Sequence, residues 1–265
     1  MQQPPPVRAE SVHPGHLVFD FNGTLLDDNA ARLQALNDSL EALGLAPIEM
    51  PEYRRTFCVP VPRFYGRLMG RRPTEGEWQL ADGVFQRNYL EYARSGARLM
   101  KGAEEVLAAW ADAGHTQSLL SLHTHEALLV EVERLGIAGY FTLVDGRRGP
   151  TGGTKAEAMR RHVAALELRP ERVAAIGDTR DDALAAWGAG VSAVLFSGGA
   201  QSADDLALVG PPVADSLHGA AEYAGRALGL PPLIPSQRSR SGESSGPPPH
   251  GALERGTMPR SSTPW

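Results

Sequence analysis

The chain has 265 residues, enough for one large domain carrying a smaller inserted one around a full hydrophobic core. Its 31 acidic residues outnumber 26 Lys and Arg, for a formal charge of −5, which argues against a protein held on nucleic acid by phosphate contacts. Cys58 is the only cysteine, so neither an intramolecular disulfide nor a cysteine-based metal site is available. No apolar run reaches membrane-spanning length, and the opening Met1-Gln2-Gln3-Pro4-Pro5-Pro6 lacks the charged and apolar regions of a signal peptide. The expectation is a cytoplasmic protein with no membrane partner.

Residues 1–15 are Pro-rich and read as a disordered N-terminus. An apolar run at 17–21 then predicts a buried strand, broken by Asp20 and followed by Asn22-Gly23-Thr24. From 28 to 98 no clear strand appears, but 30–43 is amphipathic, with Leu33, Leu36, Leu40 and Leu43 on one face and Gly44 as its stop. A second long helix is predicted over 74–97, opened by a capping box at Thr74-Glu75-Gly76-Glu77. From 99 onward the pattern alternates. Strands are predicted at 117–121, 141–144, 173–176 and 192–196, and helices at 103–113, 126–135, 155–166 and 181–189. The stretch 231–265, crowded with Pro, Ser, Gly and Arg, reads as a disordered tail.

Strand–helix alternation of this kind specifies an α/β fold, a Rossmann-like doubly wound parallel sheet. The predicted organisation is a core domain over 16–27 and 99–230, with an α-helical cap at 28–98 inserted after the first strand. In such sheets ligands bind beyond the carboxyl ends of the strands, and four short features fall there. Asp20 follows the first strand, and Ser121 ends the second. Lys155 opens a helix after the Gly-rich segment 149–154, and Asp178 and Asp182 lie at a strand-to-helix turn.

This set suits phosphoryl transfer. Asp20, Asp178 and Asp182 are hard oxygen ligands of the kind that favours Mg²⁺, and three clustered carboxylates repel one another without a cation. Ser121 and Lys155 can hold phosphoryl oxygens and offset their charge, while Asp20 attacks phosphorus in line. Each residue alone has an ordinary explanation, such as a helix cap or a turn. Lys155 stands out because the chain has only one other lysine, Lys101.

At Asp20-Phe21-Asn22-Gly23-Thr24, Ser121, Lys155 and Gly177-Asp178-x-x-x-Asp182 the chain resembles the haloacid dehalogenase-like hydrolases. The likeness is to their helically capped branch, which contains phosphoglycolate phosphatases and β-phosphoglucomutases, and covers about residues 16–228. The resemblance implies a Mg²⁺-dependent phosphatase acting through an aspartyl-phosphate on Asp20. It further implies that Asp20 and Asp178 are metal ligands, that Asn22 lends its backbone carbonyl, and that Asp182 ligates directly or through water. Ser121 and Lys155 would bind the phosphoryl group. Gly23, Thr24 and Leu122 would complete the substrate-binding loops, although relatives often carry Asn at the Leu122 position.

The main departure is Asn22, where family phosphatases usually carry the acid/base Asp. An amide cannot exchange a proton in this way, a loss on the order of 10²- to 10⁴-fold. A slow enzyme, or one restricted to activated esters such as acyl or aryl phosphates, is expected, with His123 as a stand-in base. The Asn22-Gly23 pair is also open to deamidation. The alternative is a catalytically impaired relative that binds a phosphorylated ligand or partner; a dehalogenase, needing no Mg²⁺, leaves the Asp178/Asp182 pair unexplained. The expected partner is a small phosphorylated metabolite, with no nucleic acid, for a monomer or homodimer. In the cap, Arg54, Arg55, Arg63, Arg67, Arg71 and Arg72 alternate with Phe57, Phe64 and Tyr65. They form either an anion-selective lid or a solvated basic face.

Overall fold

The structure is a computed structural model that describes residues 14–149 and 154–233. Nearly all of the two segments expected to be disordered lies outside the described residues, as do 150–153 of the Gly-rich segment before Lys155. In chain order the first half comprises β1 (His16–Phe19), β2 (Leu26–Asp27), α1 (Asn29–Ala42), α2 (Met50–Thr56), α3 (Val61–Met69), α4 (Glu75–Gly96) and β3 (Arg98–Leu99). The second half comprises α5 (Ala103–Asp112), β4 (Thr116–Thr124), α6 (His125–Arg134), β5 (Val144–Arg147), α7 (Ala156–Ala165), β6 (Val173–Gly177), α8 (Arg180–Gly188), β7 (Ser192–Phe196), α9 (Ala203–Ala207), β8 (Val213–Ala214) and α10 (Leu217–Ala227).

Six strands form one sheet in the order β5-β4-β1-β6-β7-β8, and every neighbouring pair is parallel. Period-two alternation sends successive side chains to opposite faces. Leu17, Phe19, Leu119 and Ile176 pack with Trp110 of α5, Leu128 of α6 and Leu217 of α10. Val18, Leu120 and Ala175 pack on the other face with Met159 and Val163 of α7 and Ala185 and Ala186 of α8. Both faces are therefore covered, and the central strands are apolar through their middles, with His16, Gln117 and Ser118 as buried polar exceptions.

β2 and β3 form a separate antiparallel ribbon, Leu26 opposite Leu99 and Asp27 opposite Arg98. Helices α1 to α4 lie between these two strands in sequence, with α1 packed along α4. Leu36, Leu40, Tyr53, Phe57, Phe64 and Tyr65 build their own core. The predicted capping box is present: Thr74 Oγ1 accepts from Glu77 N at 3.3 Å, and Thr74 N donates to Glu77 Oε2 at 2.7 Å.

Two expectations are corrected. The strand predicted at 141–144 begins at Val144, because Ala138–Tyr140 form a 3-10 turn and Phe141 packs against the core from the bend that follows. β4 does not end at Ser121 but runs on to Thr124, with its register shifting between Leu120 and Thr124. Of the two readings of the Arg-rich stretch, the solvated face holds. Arg55, Arg63, Arg67, Arg71 and Arg72 are exposed on and beside two short helices whose aromatic residues are buried, Arg67 donating to the Thr56 carbonyl at 2.9 Å and Arg71 pairing with Glu77 at 2.6 Å.

Candidate active site

Asp20 follows β1, where parallel pairing to β4 and β6 stops at Phe19. Its side chain is buried, and the Lys155 ammonium donates to Oδ1 while Thr24 Oγ1 donates to Oδ2 at 3.3 Å. Lys155 is the N-cap residue of α7 and is itself buried; its ammonium also donates to Asp182 Oδ1 at 2.6 Å. Asp182 sits in the first turn of α8, where Oδ2 accepts from Thr179 N at 3.0 Å and Thr179 Oγ1 at 2.6 Å. Both Asp182 oxygens are thus engaged, one in capping the helix and the other in fixing Lys155.

Asp178 lies in the turn between β6 and α8. Its Oδ2 accepts from Ala200 N at 2.6 Å, in the loop after β7. Gly23, at φ +80°, and Gly199 both back onto Asp178, where a Cβ would collide with its carboxylate. One oxygen from each of Asp20, Asp178 and Asp182 falls within 4.8 Å of the other two. Burial raises the pKa of Asp20, opposed by Lys155 and reinforced by the Asp182 charge. Burial and the Asp20 charge raise that of Asp178 well above the carboxylate range. Buried, mutually repelling oxygen donors are the set that a hard divalent cation stabilises, so the residues present fit one.

Ser121 stands two residues past the end of β4's pairing with β1. Its Oγ accepts from His123 N at 3.0 Å and faces Asn22 Oδ1 at 3.5 Å. Leu122 and His123 line the same cavity as Asp20. The His123 ring packs between Phe21 and Tyr89, and burial lowers its pKa.

Asn22 is held in a way the sequence did not reveal. Its Nδ2 donates to Asp28 Oδ2 at 2.9 Å and contacts Tyr89 Oη at 2.7 Å, and Tyr89 Oη donates to the same Asp28 oxygen at 2.9 Å. Gly23 N donates to the Leu26 carbonyl at 2.9 Å. Both groups needed for deamidation of Asn22-Gly23 are therefore occupied. Arg32 follows on α1, its Nη1 3.8 Å from Asp28 Oδ1 and 3.9 Å from Asp178 Oδ2. Asp28, Arg32, Tyr89 and Arg147 all line the cavity, whereas none of the six arginines of 54–72 does. Asp28 and Arg32 were discoverable only from the turn joining β2 to α1, since neither belongs to a recognisable motif.

A family model for haloacid dehalogenase-like hydrolases matches residues 15–190. The chain is 27% identical to a phosphoglycolate phosphatase of Rhodobacter capsulatus over 69% of its own length and 84% of that protein's. It is 26% identical to one of Agrobacterium fabrum over 67% of this chain and 78% of the relative. Among solved structures, a haloacid dehalogenase-like family hydrolase from Streptococcus pneumoniae superposes with a TM-score of 0.66 at 19% identity, covering 77% of this chain and 94% of that one, which speaks for the fold. With the acid cluster at the sheet's carboxyl edge and the helical insert after the first strand, these matches establish that the chain belongs to the haloacid dehalogenase-like hydrolase family.

Proposed function

We propose that the chain is a Mg²⁺-dependent phosphoric monoester hydrolase that works through Asp20. The observation that carries this reading is the convergence of Asp20, Asp178, Asp182 and Lys155 in one buried cluster, with Ser121 on the neighbouring strand, at the sheet's carboxyl edge. Names of relatives, phosphoglycolate phosphatases among them, support it. Asp20, Asp178 and the backbone carbonyl of Asn22 would hold the ion, with Asp182 reaching it directly or through water. When bound, the ion would offset the charge of the phosphoryl oxygens.

Lys155 and Ser121 position the phosphoryl group. An Asp20 oxygen attacks phosphorus, the P–O ester bond breaks, and the ester oxygen leaves with the bonding electrons. Water then hydrolyses the acyl phosphate on Asp20. The weak point is protonation of the leaving oxygen, because the Asn22 amide carries no exchangeable acid proton. That same amide favours the second reading, a protein that binds a phosphorylated ligand without turning it over. Mg²⁺-dependent phosphate release from phenyl phosphate, abolished in Asp20→Asn, is the expected result; no release at any Mg²⁺ concentration would leave only the binding reading.

A further inference from the structure

Beyond the acid cluster the cavity continues between the sheet and the helical insert. Acid cluster included, the cavity holds about 210 Å³, and the insert lines it with Leu36, Phe57, Phe64, Tyr65, Trp78 and Phe85. Phe57 meets Phe64 at 66° and Tyr65 meets Trp78 at 68°, while Phe85 stacks on Tyr89, so the rings enclose a chamber from several directions. On the insert side the one cation lining it is Arg32, poised 5.5 Å from the Phe57 ring centre. Arg32 Nη1 is buried and has no hydrogen-bond partner among the described residues. Asp82 on α4 also lines the cavity and accepts from Gln86 at 3.1 Å. The arginines of 54–72 lie elsewhere, and the other lining cations are on the sheet side: Lys155 is held by Asp20 and Asp182, and Arg147 donates to the Leu122 carbonyl at 3.0 Å and Thr124 Oγ1 at 3.2 Å.

We infer that the leaving group this site accepts is a neutral aromatic ring: the substrate class is the aryl phosphate monoester, with the ring in the chamber and Arg32 Nη1 facing its ester oxygen. This rests on the phosphatase reading and deepens it. Two independent features agree. A cavity of about 150 Å³ with apolar walls takes up benzene, so this one has room for a single ring attached to the phosphoryl group. A phenol has a pKa near 10, far below that of an alcohol, so its oxygen departs without the proton that Asn22 cannot give. The step balances: Asp20 oxygen bonds to phosphorus, the P–O(aryl) bond breaks, and the aryloxide leaves with the electron pair and is protonated by solvent.

The test uses the full chain with Mg²⁺ and four esters: phenyl phosphate, acetyl phosphate (a good leaving group with no ring), ethyl phosphate and phosphoglycolate. The expected result is a kcat/KM for phenyl phosphate at least tenfold above each of the others, and a collapse of the phenyl-to-acetyl ratio in Trp78→Ala. Binding is read in parallel as the shift in Tm with phenylphosphonate against methylphosphonate, the former giving the larger shift. Equal kcat/KM for phenyl and acetyl phosphate, or preference for phosphoglycolate, overturns the aryl inference and leaves the phosphatase reading intact. A larger phenylphosphonate shift with no turnover of any ester keeps the ligand class and overturns hydrolysis. Equal shifts with no turnover overturn both.

Discussion

At the scale of single residues, the substitution at position 22 cannot be judged from position 22 alone. The Asn22 amide donates a hydrogen bond to a buried carboxylate, Asp28, at 2.9 Å. Restoring the usual acid by Asn22→Asp therefore places two carboxylates against each other, and such a pair shares one proton with one strongly raised pKa. The sign follows from linkage: the folded variant binds more protons than the unfolded chain, so its stability falls as pH rises from about 4 through the raised pKa. Thermal unfolding of Asn22→Asp between pH 5 and 8 should show a Tm that drops relative to wild type as pH rises. Pairing it with Asp28→Asn should remove that slope and raise the rate on ethyl phosphate, whose poor leaving group needs an acid, by about 10²-fold. A single Asn22→Asp variant matching the double variant in both readouts would show that Asp28 does not oppose a second acid. His123, packed against Phe21 and Tyr89 with its pKa lowered, is suited to accept a proton and not to donate one. If it activates the water that hydrolyses the acyl phosphate, His123→Ala should accumulate phosphoenzyme, visible by intact mass.

At the scale of elements, helix starts do much of the positioning. Lys155 caps α7, Asp182 belongs to the capping box of α8, and Thr74 with Glu77 starts α4. The two boxes differ in consequence. The α4 box is exposed and far from the acids, so Thr74→Ala should cost about 1 kcal/mol in denaturant unfolding. The α8 box also orients the carboxylate that holds Lys155, through Thr179 Oγ1 at 2.6 Å and Lys155 Nζ at 2.6 Å. Thr179→Ala should therefore lose a similar stability and lower turnover as well, whereas a purely structural cap would lower stability alone.

Across the whole molecule, a buried polar chain ties the sheet to the helix that carries Lys155. His16 of β1 contacts Thr116 Oγ1 at 2.7 Å and Ser118 Oγ at 2.8 Å. His162 of α7 meets the same Ser118 Oγ at 2.8 Å and Asp145 of β5 at 3.0 Å. Burial, with the His162 charge adding to it, pushes His16 down to about 4, and burial also lowers His162. Through these two histidines the folded chain binds fewer protons than the unfolded one between pH 6.5 and about 4, a contribution lost as pH falls and opposed in the same window by the raised Asp20 and Asp178. For His16 alone the loss is about 3 kcal/mol. In urea unfolding, the stability of wild type relative to His16→Gln should therefore fall between pH 7 and pH 4.5, a comparison in which the contributions of Asp20 and Asp178 cancel.

Much of this arrangement was readable from the chain because it depends on local order. Apolar runs ending in Asp20 and Gly177-Asp178 must be buried parallel strands with carboxylates at one edge, and sheet topology then brings those ends together whatever the loops do. The helices at 29–42 and 75–96 declared themselves by periodicity and by Gly44 and Thr74 at their ends. Other features carry no such local signal. β2 and β3 have two residues each, too few for any period, and gain stability only by pairing across about seventy residues of insert. The arginines of 54–72 read as either an anion-selective lid or a solvated face, and only packing, which turns their aromatic neighbours inward and keeps the guanidiniums out of the cavity lining, decided for the second. The contacts from Asn22 to Asp28 and Tyr89 span 6 and 67 residues. Residue types and their order thus determined the fold and the acid cluster, while the shape of the cavity and the partner of Asn22 were decided by long-range packing, which fixes distances that sequence spacing does not.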